Sequence, residues 1–212
     1  LTHPAAAGKP RIKVLLTDLD NTLLTNIVKV AAPNYKHFDI VPVAEAKFTQ
    51  DPTTPPDLDV ITTNPILQFL NRVSNDDDIL WFIVSSGDNI NKLNDLIKYA
   101  RVKKGFNLEY NNQPGTYLSQ YAFGLKNSNI SKPEAVTAIL DNLSETYEIE
   151  KALFIDDEDH HHKAVTALNR PGLTSRGVKE NHYNIMPPAD FVHIPSMITP
   201  VDIEAASVFL FN

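Results

Sequence analysis

An α/β fold around a parallel central sheet is the architecture this sequence predicts, on three observations. Strand-like apolar runs alternate with runs of helical period. The run Ile79-Leu80-Trp81-Phe82-Ile83-Val84 is almost continuously apolar, as a strand buried on both faces must be. The runs also end in acids and hydroxyls, as expected where parallel strands gather their carboxyl ends at one binding edge.

The first strand is read at residues 12–17, leading into Asp18-Leu19-Asp20-Asn21-Thr22. Residues 25–65 contain Pro33, Pro42, Pro52, Pro55, Pro56 and Pro65, a density that excludes a long helix. Within them, residues 27–30 and 38–41 are expected to pair as a hairpin over the site. A helix is predicted over 65–73, capped by Asn64, with Pro65 in its first turn. Asn75-Asp76-Asp77-Asp78 reads as a polar turn before the strand at 79–84, which ends at Ser85-Ser86-Gly87-Asp88.

A helix over roughly 89–101 follows, and short strands are expected at 108–110 and within 117–123. Ser131-Lys132-Pro133-Glu134 has the Ser-x-x-Glu pattern of a capping box and opens a helix to about Tyr147. A buried strand at 151–155 ends in Asp156-Asp157. A helix over 159–169, a strand at 191–194 and a helix at 200–210 complete the reading.

Composition limits the function. The chain has 212 residues, 42% hydrophobic and 21% charged, enough for one domain with a sizeable core. Residues 1–10 read as an N-terminal extension, and 11–212 as one domain with a flap-like insertion at about 25–63. The net charge of −7 and the absence of a basic stripe argue against nucleic acid as a partner. No cysteine is present, which removes disulfides, thiolate metal sites and cysteine nucleophiles. No segment has the ~18 apolar residues needed to span a bilayer, and residues 1–10 lack the apolar core of a signal peptide. The expected working place is therefore the cytoplasm; a bacterial effector acting in host cytosol fits the same features. With no initiator Met, the sequence is expected to be processed or excised from a longer chain.

Two carboxylates two residues apart, just past a buried strand, repel each other and raise each other's pKa, so a cation is their natural third party. One of them can attack phosphorus while the other handles a proton. The strand ends in order supply Asp18 and Asp20, then Ser85, then Lys132 at a helix start, then Asp156 and Asp157. A lysine in a helix's first turn opposes the macrodipole at about 0.3–1 kcal/mol, a cost that a neighbouring anion reverses. Lys126 is the rival cation. His160-His161-His162, three consecutive helical residues about 100° apart, are expected to point in different directions.

In this order the residues resemble the four motifs of the haloacid dehalogenase (HAD) superfamily, over roughly residues 12–170. Asp18-Leu19-Asp20-x-Thr22-Leu23 and Phe154-Ile155-Asp156-Asp157-Glu158 are most similar to its capless magnesium-dependent phosphatases. The resemblance implies a three-layer Rossmann-like fold with helices on both faces of the sheet and a minimal cap. It implies Asp18 as nucleophile forming an aspartyl-phosphate, and Asp20 as the acid and base. Ser85, Ser86 and Lys132 would bind the substrate phosphate, with the N–H groups of Leu19, Asp20 and Ser86 as an anion nest. Mg2+ would be held by Asp18, Asp156, Asp157 and the Asp20 carbonyl. Tyr35, Phe38, Tyr110, Tyr117 and Tyr121 are expected to line a mouth suited to an aromatic ring. The implied activity is that of a phosphatase, with phosphotyrosine in proteins as substrate. A small-molecule phosphatase or nucleotidase, a dehalogenase, or a non-catalytic binding module are the alternatives; Asp20 and the Asp156/Asp157 pair argue against the dehalogenase.

Overall fold

A computed structural model describes residues 8–30, 32–43, 59–178, 181–185, 190–194 and 197–212. Four parallel strands form the central sheet: β1 (Arg11–Thr17), β5 (Ile79–Ile83), β6 (Glu148–Asp156) and β7 (Leu173–Gly177), in the order β5-β1-β6-β7. β1 is central and its last four residues are buried, which is why it reads as one apolar run.

Alternate residues of these strands feed two cores. Leu15, Trp81, Leu153 and Ile155 join α1 (Asn64–Ser74), α2 (Ile90–Tyr99) and α5 (Pro200–Phe211) on one face. Val14, Leu16, Phe82 and Phe154 join α3 (Lys132–Thr146) and α4 (Asp159–Thr166) on the other. The result is the expected three-layer α/β arrangement, with helices on both faces of a parallel sheet.

Helix starts follow the local chemistry with one correction. Ser131 and Glu134 form the predicted capping box on α3. The first predicted helix starts one residue early: Thr63 caps it, accepting from the Ile66 N–H at 3.3 Å, and Asn64 is already helical. The predicted helix at 89–101 is α2 followed by a π-helical turn over Ala100–Lys104 that closes on Gly105 in the left-handed region.

Residues 25–63 contain the small antiparallel sheet β2-β4-β3, from β2 (Thr25–Asn26), β3 (Asp39–Val41) and β4 (Val60–Thr62). The predicted pairing of 27–30 with 38–41 is wrong. Ile27–Lys29 is a 3-10 turn closed by Val30 N–H to Ile27 O at 3.1 Å, and both β2 and β3 pair with β4 instead. Residues 44–58 of this insertion lie outside the described residues. The strand predicted at 191–194 is β9 (Asp190–Ile194), paired with β8 (Asn181–Ile185).

No strand forms at 108–110 or 117–123; the latter holds a 3-10 turn at Ser119–Tyr121. The alternation is present, with Leu108 and Tyr110 buried around Glu109, but the chain meets β5 differently. Asn111 N–H donates to Trp81 O at 2.6 Å, and the Asn111 carbonyl oxygen of the side chain accepts from Trp81 N–H at 2.9 Å. The fully buried Asn112 amide accepts from Ile83 N–H at 3.0 Å and donates to Ile83 O at 2.8 Å. Two asparagine side chains thus occupy the place of a neighbouring strand along an edge that would otherwise present unpaired groups.

Replacing Asn112 by Ala strands the Ile83 N–H and C=O in an apolar interior. The expected loss is about 2–4 kcal/mol of unfolding free energy, from two unmet backbone groups, read by urea denaturation; a loss under half a kilocalorie would refute this account of the edge.

Candidate functional site

The register of the sheet assembles the site. Thr17 pairs with Ile83 on one side and Ile155 on the other. The next residues, Asp18, Val84 and Asp156, therefore lie side by side at the carboxyl edge, with Asp18 N–H donating to Ile155 O at 3.0 Å and Val84 N–H to Thr17 O at 2.8 Å. Lys132 arrives from the first turn of α3.

Lys132 is buried, 3% exposed, and bridges two carboxylates that are themselves buried. Its Nζ lies 3.0 Å from Asp18 Oδ1 and in direct contact with Asp156 Oδ2. Burial alone would lower its pKa, but Asp18 and Asp156 outweigh burial and raise it, so the ammonium form is held. Lys126, the rival, is exposed. Thr22 Oγ1 lies 3.2 Å from both Asp18 Oδ2 and Asp157 Oδ1, within reach of donating to either.

Asp18, Asp156 and Asp157 bring carboxylate oxygens within 4.8 Å of one another. One lysine does not neutralise three carboxylates, and burial together with the remaining repulsion raises the pKa values of two of them. Asp156 is pushed up to about 6, by burial first and then by the charge of Asp18. Asp157 is pushed up to about 8, by burial first and then by its hydrogen bond to Asp18 and the Asp18 charge. Three convergent hard oxygen donors with unrelieved negative charge fit a divalent cation such as Mg2+.

Asp20 stands in a different environment. Its carboxylate accepts from the Asn89 amide and lies 3.8 Å from Lys92 Nζ. Burial raises its pKa, with Asp18 adding and Lys92 opposing. Asn21 follows at a φ of 60°, a conformation Asn tolerates, and the turn closes through Asn21 N–H to Leu24 O at 2.7 Å.

A cleft of about 150 Å³ is lined by Asp18, Asp20, Asn21, Ser85, Ser86, Gly87, Lys132, Asp157, Glu158 and His161. Ser85 is buried; its N–H is taken by Ala122 O at 2.8 Å and its hydroxyl donates to Gly87 O at 3.3 Å. Ser86 is half-buried. Among the described residues, no backbone hydrogen bond uses the N–H groups of Leu19, Asp20 or Ser86. Every predicted site residue except Asp156 lines this cleft, and Asp156 reaches it through Lys132.

The aromatic mouth is a misreading. Tyr110 and Phe38 are buried in the core, Tyr35 and Tyr121 pack against it, Tyr117 is 76% exposed, and none of the five lines the cleft. The histidines also differ from expectation. His160 and His161 lie 3.9 Å apart, centroid to centroid, and both reach Glu158 just ahead of α4. Only His162 turns away, its Nδ1 2.7 Å from Ser175 Oγ. Helical spacing fixes the Cα–Cβ directions, but two long side chains in a first turn still converge on a residue outside the helix. Thr22, Asn89, Lys92, Glu158 and His161 carried no role in the sequence reading. Thr22 lies inside the first motif, whereas Asn89 and Lys92 have no local signature.

No protein-family model and no curated protein matches this sequence. The fold is similar to the HAD domain of the effector protein Lem4 from Legionella pneumophila, at 15% identity over 79% of this chain and 86% of that one, with a TM-score of 0.44. No helix among the described residues is long and apolar enough to cross a membrane.

Two predictions follow from the charge balance. An Asp157 with a raised folded pKa holds a proton that the unfolded chain has lost, so its contribution to stability disappears as pH rises through about 8. Chelated protein should melt at a higher temperature at pH 6.5 than at pH 8. Asp157→Asn should flatten that difference, and Mg2+ should raise the melting temperature more at pH 8; equal Mg2+ shifts at both values would refute it. Lys132→Met leaves Asp18 and Asp156 without their cation and should destabilise the fold by about 3–5 kcal/mol at neutral pH, with part recovered on acidification, as read by denaturant titration.

Proposed function

We propose that this chain is a Mg2+-dependent phosphatase of the HAD type that hydrolyses phosphate monoesters through an aspartyl-phosphate on Asp18. The observation that carries the reading is the convergence of Asp18, Asp156 and Asp157 on one buried lysine, beside a separately held Asp20.

Asp18 is fixed in position by Lys132 and the Thr22 hydroxyl, and attacks phosphorus as the ester O–P bond breaks. Asp20, whose environment favours its protonated form, gives its proton to the leaving oxygen. It then takes a proton from the water that attacks the phosphoryl group, which releases inorganic phosphate and restores both aspartates. Asp18, Asp156, Asp157 and the Asp20 carbonyl would hold Mg2+, whose charge offsets that of the transferring phosphoryl oxygens. Ser85, Ser86, the Lys132 ammonium and the free N–H groups of Leu19, Asp20 and Ser86 receive those oxygens.

A cleft of about 150 Å³ accommodates a phosphoryl group and little more, because whole small-molecule ligands occupy roughly 300–1,000 Å³. The body of the substrate then stays outside. Asp18 is only 6% exposed, so the phosphate must stand well clear of its carrier to reach it. The long rigid arm of phosphotyrosine does this better than phosphoserine, which makes a phosphotyrosine protein the preferred substrate. A cytosolic phosphoprotein pool, that of a host cell included, is the compatible setting.

The test is a phosphatase panel of phosphotyrosine and phosphoserine peptides, sugar phosphates and nucleotides, with Mg2+ and with chelator. Asp18→Asn is expected to fall to background and Asp20→Asn to lose roughly 10²–10⁴-fold in kcat. Preference for sugar phosphates or nucleotides would favour the small-molecule reading. Activity that survives chelation or Asp18→Asn would overturn the mechanism, and no activity in folded wild type would leave a binding module.

A further inference from the structure

We propose that Glu158, His160 and His161 form a binding site for a transition cation of the zinc class, distinct from the acid centre and at the rim of the same cleft. The three residues present two imidazole nitrogens and one carboxylate oxygen, all within 4.8 Å of one another. His161 Nε2 lies 2.9 Å and His160 Nε2 3.5 Å from Glu158 Oε2. Donors held at zinc distances around a tetrahedral ion lie about 3.4 Å apart, and the two observed separations bracket that value.

The donor set selects the cation. Two imidazoles and a carboxylate are the ligands of open three-ligand zinc sites, whereas Mg2+ takes oxygens and keeps its water. The hard acid centre and this mixed site therefore divide the two classes of ion between them. A simple ion pair accounts less well for the arrangement. One carboxylate oxygen needs one histidine, and two protonated imidazoles 3.9 Å apart would repel each other.

The backbone beneath the site is held. Glu158 N–H donates to Asp156 Oδ1 at 2.9 Å, and the N–H groups of His161 and His162 both donate to Glu158 O at 3.1 Å. The contact of His162 with Ser175 ties the same helix to β7. Glu158 and His161 also line the phosphate cleft, so a cation bound here adds positive charge where an anionic substrate enters.

Calorimetric titration of the chain with Zn2+, in buffer saturated with Mg2+ to occupy the acid centre, tests the site without any reference to turnover. Wild type is expected to bind one Zn2+ per chain. The His160→Gln/His161→Gln double variant is expected to bind at least roughly tenfold more weakly, while Asp157→Asn retains wild-type affinity. Circular dichroism melts confirm that each variant is folded before titration. Three results would overturn the proposal: no Zn2+ binding by wild type under Mg2+, undiminished binding by the double variant, or loss of binding in Asp157→Asn. None of these bears on whether Asp18 is a nucleophile, so this proposal and the phosphatase reading fail separately.

Discussion

A single buried ammonium group sets the terms for the rest of this molecule. Lys132 holds together the end of β1 and the end of β6 through Asp18 and Asp156, with almost no water to share the charge. Removing either partner of such a pair leaves an uncompensated charge in the interior, which is far costlier than never having built it. Three pieces of the chain must therefore stop in register. From Lys13 onward β1 and β6 pair residue for residue to Thr17 and Ile155, and α3 starts at Lys132 because Ser131 and Glu134 cap it there. Shifting any of the three by one residue would turn a carboxylate or the ammonium away from its partner.

The same site contains two acids in contrasting settings. Asp18 sits against the Lys132 ammonium and the Thr22 hydroxyl. Asp20, two residues on, is shielded by burial and held by Asn89 and a more distant Lys92. In the proposed mechanism these contrasting settings separate the nucleophile from the acid. Just past both acids, Asn21 in the left-handed region turns the chain, and its N–H closes the turn on Leu24 O at 2.7 Å. Gly87 leaves room for the Asn89 amide that meets Asp20, since a β-carbon there would lie 2.9 Å from that amide nitrogen.

What the sequence discloses follows the reach of each interaction. Strands buried on both faces announce themselves by composition, so β1, β5 and β6 were legible, and the acids at their ends followed from the rule for parallel sheets. The capping box at Ser131 is local and was read correctly. The misreadings lie where partners are distant. Leu108-Glu109-Tyr110 alternates like a strand, yet nothing in that alternation tells that Asn111 and Asn112 will pair with β5 through their side chains. The short β4 carries too few residues for a period to show, so residues 27–30, whose first three form a 3-10 turn, read as the partner of 38–41 in its place. The five aromatics looked like a mouth because residue type was visible and burial was not; Tyr110 is 1% exposed and packs edge-on against Trp81 and Phe123. Asn89 and Lys92 gained a place at the site only through α2, whose position no local pattern specifies.

The acid centre also explains why stability and ligand affinity are tied together here. In the chain alone, three carboxylates face one lysine, and the raised pKa values of Asp156 and Asp157 come from burial first and from the charge of Asp18 beside them after it. A fold optimised for stability would substitute an amide or an apolar group at one of these positions. Retaining all three leaves free energy that a divalent cation would recover on binding, and that recovery would be greatest with the carboxylates ionised. The coupling runs in both directions. A cation that stabilises the folded chain is bound more tightly by a site already held in shape, and the buried Lys132 bridge supplies that preorganisation without occupying every carboxylate oxygen.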